Sequence, residues 1–429
     1  MSDSALLQND QHMVSEMAET LIGSEIIKLA AEINEKIRNG ERIYNYTIGD
    51  FDPKIFPIPV ELNDAIIKAY EQRHTNYPAA NGMPDLRKEV SEFLLERQGV
   101  SYTADEILIS GGARPLIYAT YVTLLNPGDS VIFPVPSWNN NHYCHLSRVN
   151  PILVETRPEN HFMPSASDLL PHIKEATMIA LCSPLNPTGT VFGEEPLTEI
   201  CDMILAENKR RGPDAKPLYL MYDQIYSVLT YGQTKHYDPV SLRPAMREYT
   251  IFIDGISKSL AATGVRVGWS FGPRLIIDKM KAILSHVGAW APKAEQVATA
   301  EYLKNKKAVN SFLEQFKKSI DDRLHGFYNG FMELKKAGYN VEAIAPQAAI
   351  YLTINFDLKG KKTSSGKILT TQKEVTQYIL DEAKLAVVPF SAFGSSDDSP
   401  WYRLSVGTCT TEEIPEVFSN LKKVLSQLS

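Results

Sequence analysis

The chain has 429 residues, too many for one simple core, and its 44% hydrophobic and 22% charged content is that of a soluble globular protein. A formal net charge of −7 argues against general nucleic-acid binding, so any anion-binding arginine is a local feature rather than part of a basic surface. No window approaches the ~18 apolar residues of a membrane span, and the N-terminus carries acids without an apolar core of signal-peptide length. Cys144, Cys182, Cys201 and Cys409 are scattered without metal-ligand spacing, which predicts reduced core thiols in a cytoplasmic protein. His142 and His145 lack a carboxylate partner and read as structural, so no metal site is expected.

Residues 1–45 carry a helical pattern in which Ile22, Ile26, Ile27, Leu29, Ala30 and Ile33 form an apolar stripe. From residue 75 to 310 strands and helices alternate. A short buried strand over 106–109 is followed by Gly111 and Gly112, then by a helix over 114–125 that Asn126, Pro127, Gly128 and Asp129 stop. Strands follow over 130–133 and 178–181. A helix over 194–210 has Pro196 in its first turn, and further strands cover 218–222, 251–253 and 265–270. Short apolar runs separated by helices predict an α/β fold, with a mostly parallel seven-stranded sheet covered on both faces. After residue 295 a long helix, with a break, runs to about residue 336 and bridges to a smaller α+β domain. That domain has strands over 349–354 and 402–406, a helix over 370–383 and a terminal helix from Glu412. The expected division is an N-terminal segment, 1–50, packed with the small domain, a large domain, 51–310, and the rest of the small domain, 311–429.

Ligands of open α/β sheets sit at the carboxyl ends of the strands, where the unusual polar residues of this chain fall. Lys258 follows the apolar run 249–253, and Arg266 lies eight residues beyond it between Val265 and Val267. A lysine at the mouth of a buried strand can form a Schiff base, and an arginine nearby can hold a phosphate. Pyridoxal 5'-phosphate (PLP), both an aldehyde and a phosphate ester, needs both. Gly112, Ala113 and Arg114 lie between a strand and a helix start, where backbone N–H groups and the helix dipole bind phosphate. Trp138, just beyond another strand, offers a stacking face for a planar ring. Asp223 ends a third strand, and a carboxylate there can pair with a pyridine nitrogen and keep it protonated.

The segment around Lys258 resembles the lysine signature of the class I/II aminotransferases, S-K-x(5)-G-x-R-x-G. Asn186-Pro187-Thr188-Gly189 is similar to the family's N-P-T-G, Asp223 to Tyr226 to its D-E-x-Y with Gln224 in place of glutamate, and Tyr402 to Ser405 to its F/Y-R-[IL]-S. Residues 46–50 and 75–87 resemble two further family segments, so the resemblance runs from about residue 40 to 410. It implies a PLP-dependent transferase of fold type I, in the manner of aspartate and aromatic aminotransferases. Asn186 and Tyr226 would meet the cofactor's O3′, Ser257 and Arg266 its phosphate, and Trp138 its ring face. Arg403 would hold the substrate α-carboxylate, and Gly49 would approach the substrate. Tyr77 would reach the phosphate of a neighbouring subunit, which implies a homodimer with shared active sites.

The implied reaction is a ping-pong transfer of an amino group from an L-amino acid to a 2-oxo acid. The same site also serves lyase, synthase and decarboxylase chemistry in other proteins. A ligand-sensing regulator on this fold would need a DNA-binding module, for which the N-terminal segment is too short and insufficiently basic. Ala113 stands where some dicarboxylate-using relatives carry a lysine. Arg114 and Lys293 are cations for a distal carboxylate, and Trp138, Trp290 and Tyr351 are aromatics for a ring pocket. The expected donor is therefore aspartate or an aromatic amino acid, with 2-oxoglutarate as acceptor.

Overall fold

The computed structural model describes residues 13–21, 23 and 25–429. Of the N-terminal apolar stripe, Ile22 and the side chains of Ile26 and Ile27 lie outside the described residues. The remainder sits on a helix, Glu25–Arg38, where Ile33 is fully buried and Leu29 and Ala30 are partly so.

After β1 (Tyr44–Asn45) come the strands of the main sheet: β2 (Ile107–Ser110), β3 (Ser130–Val135), β4 (Asn150–Glu155), β5 (Ala176–Cys182), β6 (Tyr219–Asp223), β7 (Thr250–Gly255) and β8 (Gly268–Phe271). They are ordered β2-β8-β7-β6-β5-β3-β4. The pairings among β4, β3, β5, β6 and β7 are all parallel, and β8 runs antiparallel to both its neighbours. The middle strands are buried on both faces, as central parallel strands must be. Ile179, Leu181, Leu220, Tyr222 and Phe252 enter one apolar cluster, and Met178, Ala180, Met221, Ile251 and Ile253 enter the other. Alternation with period two thus sends successive side chains to opposite helical layers.

Two details differ from the sequence expectation. β4 was hidden by Pro151 and by a mostly solvent-facing composition, both tolerated because it is an edge strand. β8 begins at Gly268 rather than Val265, because Thr263–Val265 forms a 3-10 turn and Arg266 takes a left-handed φ of 61°. The reversed direction of β8 puts its first residue beside the last residues of β2 and β7. Arg266 therefore arrives at the same sheet edge as the residues that follow β5, β6 and β7.

A second sheet contains β9 (Val341–Ala343), β10 (Tyr351–Phe356), β12 (Val388–Pro389) and β13 (Trp401–Ser405), antiparallel in the order β12-β13-β10-β9. β11 (Leu385–Ala386) pairs in parallel with β1 and ties the N-terminal segment to this smaller α+β unit. The bridging helix is split into Lys293–Lys304 and Lys306–Lys336 at Asn305, whose side chain accepts from the Ala308 N–H. Val309 and Leu313 on the longer helix join the core of the large sheet, whereas Phe316, Ile320, Leu324, Phe327, Phe331 and Leu334 join the core of the small one. This spacing of three and four residues keeps one face of the helix inward throughout.

Phe331 is fully buried, with its ring 5.7 Å from Phe356 and 5.3 Å from Phe418. Phe331→Ala is expected to cost about 3–5 kcal/mol in chemical denaturation. A loss below about 1 kcal/mol would show that this ring does not hold the small unit together.

Candidate active site

A cavity of about 710 Å³ opens at the carboxyl edge of the large sheet, where the small unit covers it. Gly49, Ala113, Arg114, Trp138, Asn186, Asp223, Tyr226, Ser257, Lys258, Arg266 and Arg403 all line it. Gly112 stands behind this wall, at the N-cap of the helix Ala113–Leu124, with φ of 96°. A Cβ at this residue would collide with the Arg266 guanidinium, so glycine is required for the arginine to lie there.

Lys258 sits in a single helical turn, Ile256–Ser259, directly after β7. Its Nζ donates to the Gly49 carbonyl at 2.6 Å. Burial pulls its pKa down to about 8; Asp50 opposes the shift, and the guanidinium groups of Arg403, Arg114 and Arg266 reinforce it. A lysine so placed has a far larger neutral, nucleophilic fraction near physiological pH than an exposed lysine.

Asp223 ends β6. Burial pushes its carboxyl up to about 6, against a hydrogen bond from the Ile225 N–H at 3.1 Å. Among the described residues no cation pairs with it. Behind it, at the end of β7, lies Asp254, pushed up to about 7 mainly by burial. Asp254 accepts from the Gly255 N–H at 2.7 Å, from Gln224 Nε2 at 3.1 Å and from Ser227 Oγ at 3.4 Å. Gln224 Oε1 in turn faces His236 Nε2 at 3.3 Å. Gln224, the departure from the family's usual glutamate, is thus buried between strands and does not line the cavity.

Arg403 comes from the small unit, on β13 between β10 and β12. It is only 2% exposed. One terminal nitrogen donates to Asn186 Oδ1 at 3.0 Å and the other to the Thr47 carbonyl at 2.6 Å. Its Nε has no partner, and its Cζ lies 4.7 Å from the Tyr351 ring centre and 4.9 Å from that of Phe393. An unpartnered buried donor beside a cavity is suited to an anionic ligand. Asn186 follows β5 in a turn completed by Gly189, where φ is 72° and a Cβ would collide with the Tyr351 carbonyl. The two sheets therefore meet at this turn.

At the other end, Arg266 donates to the Gly111 and Thr263 carbonyls, each at 2.8 Å, beside the N-terminus of the helix Ala113–Leu124. Arg114 lies over the Trp138 ring at 4.6 Å. Trp138 is followed by a buried chain in which Tyr121 donates to Asn140 at 3.0 Å and Asn140 to Ser137 at 2.7 Å.

Tyr77 is not brought to the cavity of its own chain. It is 81% exposed and lies edge-on to Trp290, with ring centres 5.2 Å apart. Lys293 donates to Asn76 and, like Trp290, lies outside the cavity, whereas Tyr351 lines it. Sequence reasoning missed Ala30, Asn140 and Tyr143 in the wall. Ala30 arrives through tertiary packing with no local signal. Asn140 and Tyr143 share one face of the helix that follows Trp138, a periodicity that extends the tryptophan's own wall.

Sheet topology and site together define a fold-type I enzyme, with its lysine and its acid at neighbouring strand ends and an arginine supplied by a second sheet. The chain belongs to the family "Aminotransferase class I and II", whose profile matches residues 50–421. It is 30% identical over 392 residues to an aspartate aminotransferase of Geobacillus stearothermophilus, covering 91% of this chain and 93% of that one. It is also 30% identical over 378 residues to a probable aspartate/prephenate aminotransferase of Rickettsia felis, covering 87% and 88% of the two chains. The crystal structure of the aspartate aminotransferase from Rhizobium meliloti superposes with a TM-score of 0.87 at 26% identity, over 97% of this chain and 99% of that one. The protein is a transaminase.

Because burial destabilises the Lys258 ammonium, its amine should react well below the pH at which exposed lysines do. Trinitrophenylation of Lys258 in the cofactor-free protein, followed by peptide mapping, is expected to rise with a midpoint near 8. A midpoint above about 10, the value of an unperturbed lysine, would contradict this placement.

Proposed function

We propose that the protein uses pyridoxal 5'-phosphate to move an amino group from an L-amino acid to a 2-oxo acid. The observation that carries this reading is the pairing, in one cavity, of a largely desolvated lysine with a partly buried carboxylate that has no cation of its own among the described residues. The residues fit the cofactor along its length. Lys258 binds the aldehyde carbon. Asp223 takes the protonated ring nitrogen as its missing cation. Asn186, whose Oδ1 is occupied by Arg403, has its amide N–H groups left to meet the ring oxygen, together with Tyr226. Trp138 covers a ring face. Arg266, Ser257 and the helix start at Gly112, Ala113 and Arg114 receive the phosphate.

When bound, the cofactor supplies an electron sink for the carbanion formed at the substrate Cα. Arg403 holds the α-carboxylate through its free Nε edge and so sets the direction of the Cα–H bond. Lys258 Nζ, at the mouth of β7, would serve as the base that takes up the substrate Cα proton and as the acid that returns it. Beside a ring cation Asp223 would be held ionised, since a positive partner lowers a carboxyl pKa that burial alone raises. The purified protein is expected to be yellow, and borohydride should fix the cofactor to Lys258. Lys258→Ala is expected to abolish turnover; a variant with normal turnover would remove the lysine from this role.

We further propose an active homodimer in the cytoplasm. Tyr77, exposed and turned away from its own cavity, would reach the phosphate in the neighbouring subunit. The four cysteines are unpaired, which fits a reducing compartment. Among the described residues no helix is long and apolar enough to cross a membrane. The chain divides into an N-terminal segment (1–50), a large domain (51–310) and the rest of a small domain (311–429), supported by the β1–β11 pairing.

For the donor we favour aspartate slightly over aromatic amino acids, with 2-oxoglutarate as acceptor. Arg114 supplies a cation in the cavity wall, and it replaces the function of the lysine that Ala113 displaces. Trp138 and Tyr351 supply aromatic surface in the same wall. The relatives named above are aspartate and aspartate/prephenate aminotransferases. kcat/KM is expected to be higher for aspartate, tyrosine or phenylalanine than for alanine. Alanine exceeding all three by tenfold, about 1.4 kcal/mol of transition-state preference, would contradict the assignment.

A further inference from the structure

Tyr351 lines the cavity and has so far figured only as aromatic surface. It is the first residue of β10, and its side chain touches three working parts at once. Its hydroxyl lies 2.6 Å from the hydroxyl of Tyr226. Its ring lies under the Arg403 guanidinium at 4.7 Å. Its hydroxyl also fills the space that a side chain at Gly49 would occupy, 2.8 Å from the position of such a Cβ. Gly49 is the residue whose carbonyl accepts from Lys258.

The backbone before Tyr351 is held in an unusual shape. Ala349 has a left-handed φ of 59°, rare for a residue with a side chain. Three bonds clamp it from the large unit: Ala348 N–H to Gly189 at 2.9 Å, Ala349 N–H to Leu229 at 2.8 Å, and the Tyr231 hydroxyl to the Ala349 carbonyl. Strain that neighbouring structure holds in place at a site wall is a mark of positioning.

We propose that Tyr351 is a positioning residue that couples the α-carboxylate clamp to the phenol facing the cofactor oxygen. The inference rests on the transaminase reading above. In that reading Tyr226 donates its proton to the ring oxygen, so it must accept in the tyrosine pair, and Tyr351 is the donor. A hydrogen-bond chain of this kind strengthens each member, so Tyr351 makes Tyr226 the better donor. Separately, the electron-rich face of the Tyr351 ring holds the guanidinium of Arg403 in plane for a carboxylate. One side chain thus has two separable contacts, its hydroxyl and its ring.

Substitution can remove them one at a time. Tyr351→Phe deletes the hydroxyl and keeps the ring. Weaker donation from Tyr226 leaves more negative charge on the ring oxygen, which holds the neighbouring imine proton more tightly. The absorbance titration of the lysine-bound cofactor should therefore move to higher pH by ~0.3 unit or more, about a twofold gain in proton affinity. KM for the amino acid and the oxo acid should stay within about twofold. Tyr351→Leu deletes both contacts and should also raise both KM values by ~5-fold or more, the range of a desolvated cation–π contact.

A Tyr351→Phe titration that coincides with that of the wild type overturns the proposal, as does a Phe variant whose KM rises as far as that of the Leu variant. If the Leu variant does not fold, the Phe variant alone decides through its titration. A wild-type protein that takes up no cofactor chromophore would instead overturn the transaminase reading, and this inference with it.

Discussion

Asp223, Lys258 and Arg403 carry charged groups into one cleft, and each is held there at a cost that a ligand can relieve. Burial pushes the carboxyl of Asp223 up and the ammonium of Lys258 down, so both shifts favour the neutral forms. In the proposed reading, a protonated ring nitrogen would offer the missing charge to the first, and an aldehyde would consume the neutral amine of the second. The main sheet provides the constraint that makes this arrangement possible. Parallel strands all end at one edge, so residues far apart in sequence share a small region without long loops. The reversal of β8 adds Arg266 to that edge, where a parallel strand would have placed it at the opposite end.

The site is completed only where the two sheets meet. Arg403 reaches Asn186 and the N-terminal segment at Thr47, Tyr226 reaches Tyr351, and the Gly189 turn fits against the Tyr351 backbone. Arg403 thus comes from one unit, whereas Asp223 and Lys258 come from the other. A small shift between the sheets would misalign the Cα–H bond with the ring, and misplacement of about 1 Å is enough to cost on the order of a hundredfold in rate. The long helix Lys306–Lys336 contributes side chains to both cores and resists that shift.

Much of this was legible in the sequence because strand-end chemistry is local. A buried run followed within a few residues by Lys258, Asp223 or Asn186 announces both the strand and the residue it delivers. The fold class, six of the seven strands of the main sheet and the helix break could be read from apolar periodicity and from turn residues. β4 could not, since an edge strand with Pro151 and exposed side chains has no buried run to detect. Ala30 and the pairing of Tyr351 with Tyr226 were hidden for another reason: they depend on which distant elements meet. Arg114 was legible as a cation near the site, but its seat over the Trp138 ring follows from three-dimensional packing.

The same constellation of lysine, acid and arginine supports several reactions at an amino acid Cα, and the bond that breaks depends on how the substrate is held. In the proposed reading, Arg403, held by Asn186, would select proton transfer. A single turnover decides the matter most directly: cofactor-loaded protein mixed with the amino donor in the absence of any oxo acid. One equivalent of 2-oxo acid per active site is expected, with the cofactor retained in its amine form. Release of carbon dioxide, or of an elimination product with the cofactor returned to its aldehyde form, would contradict it.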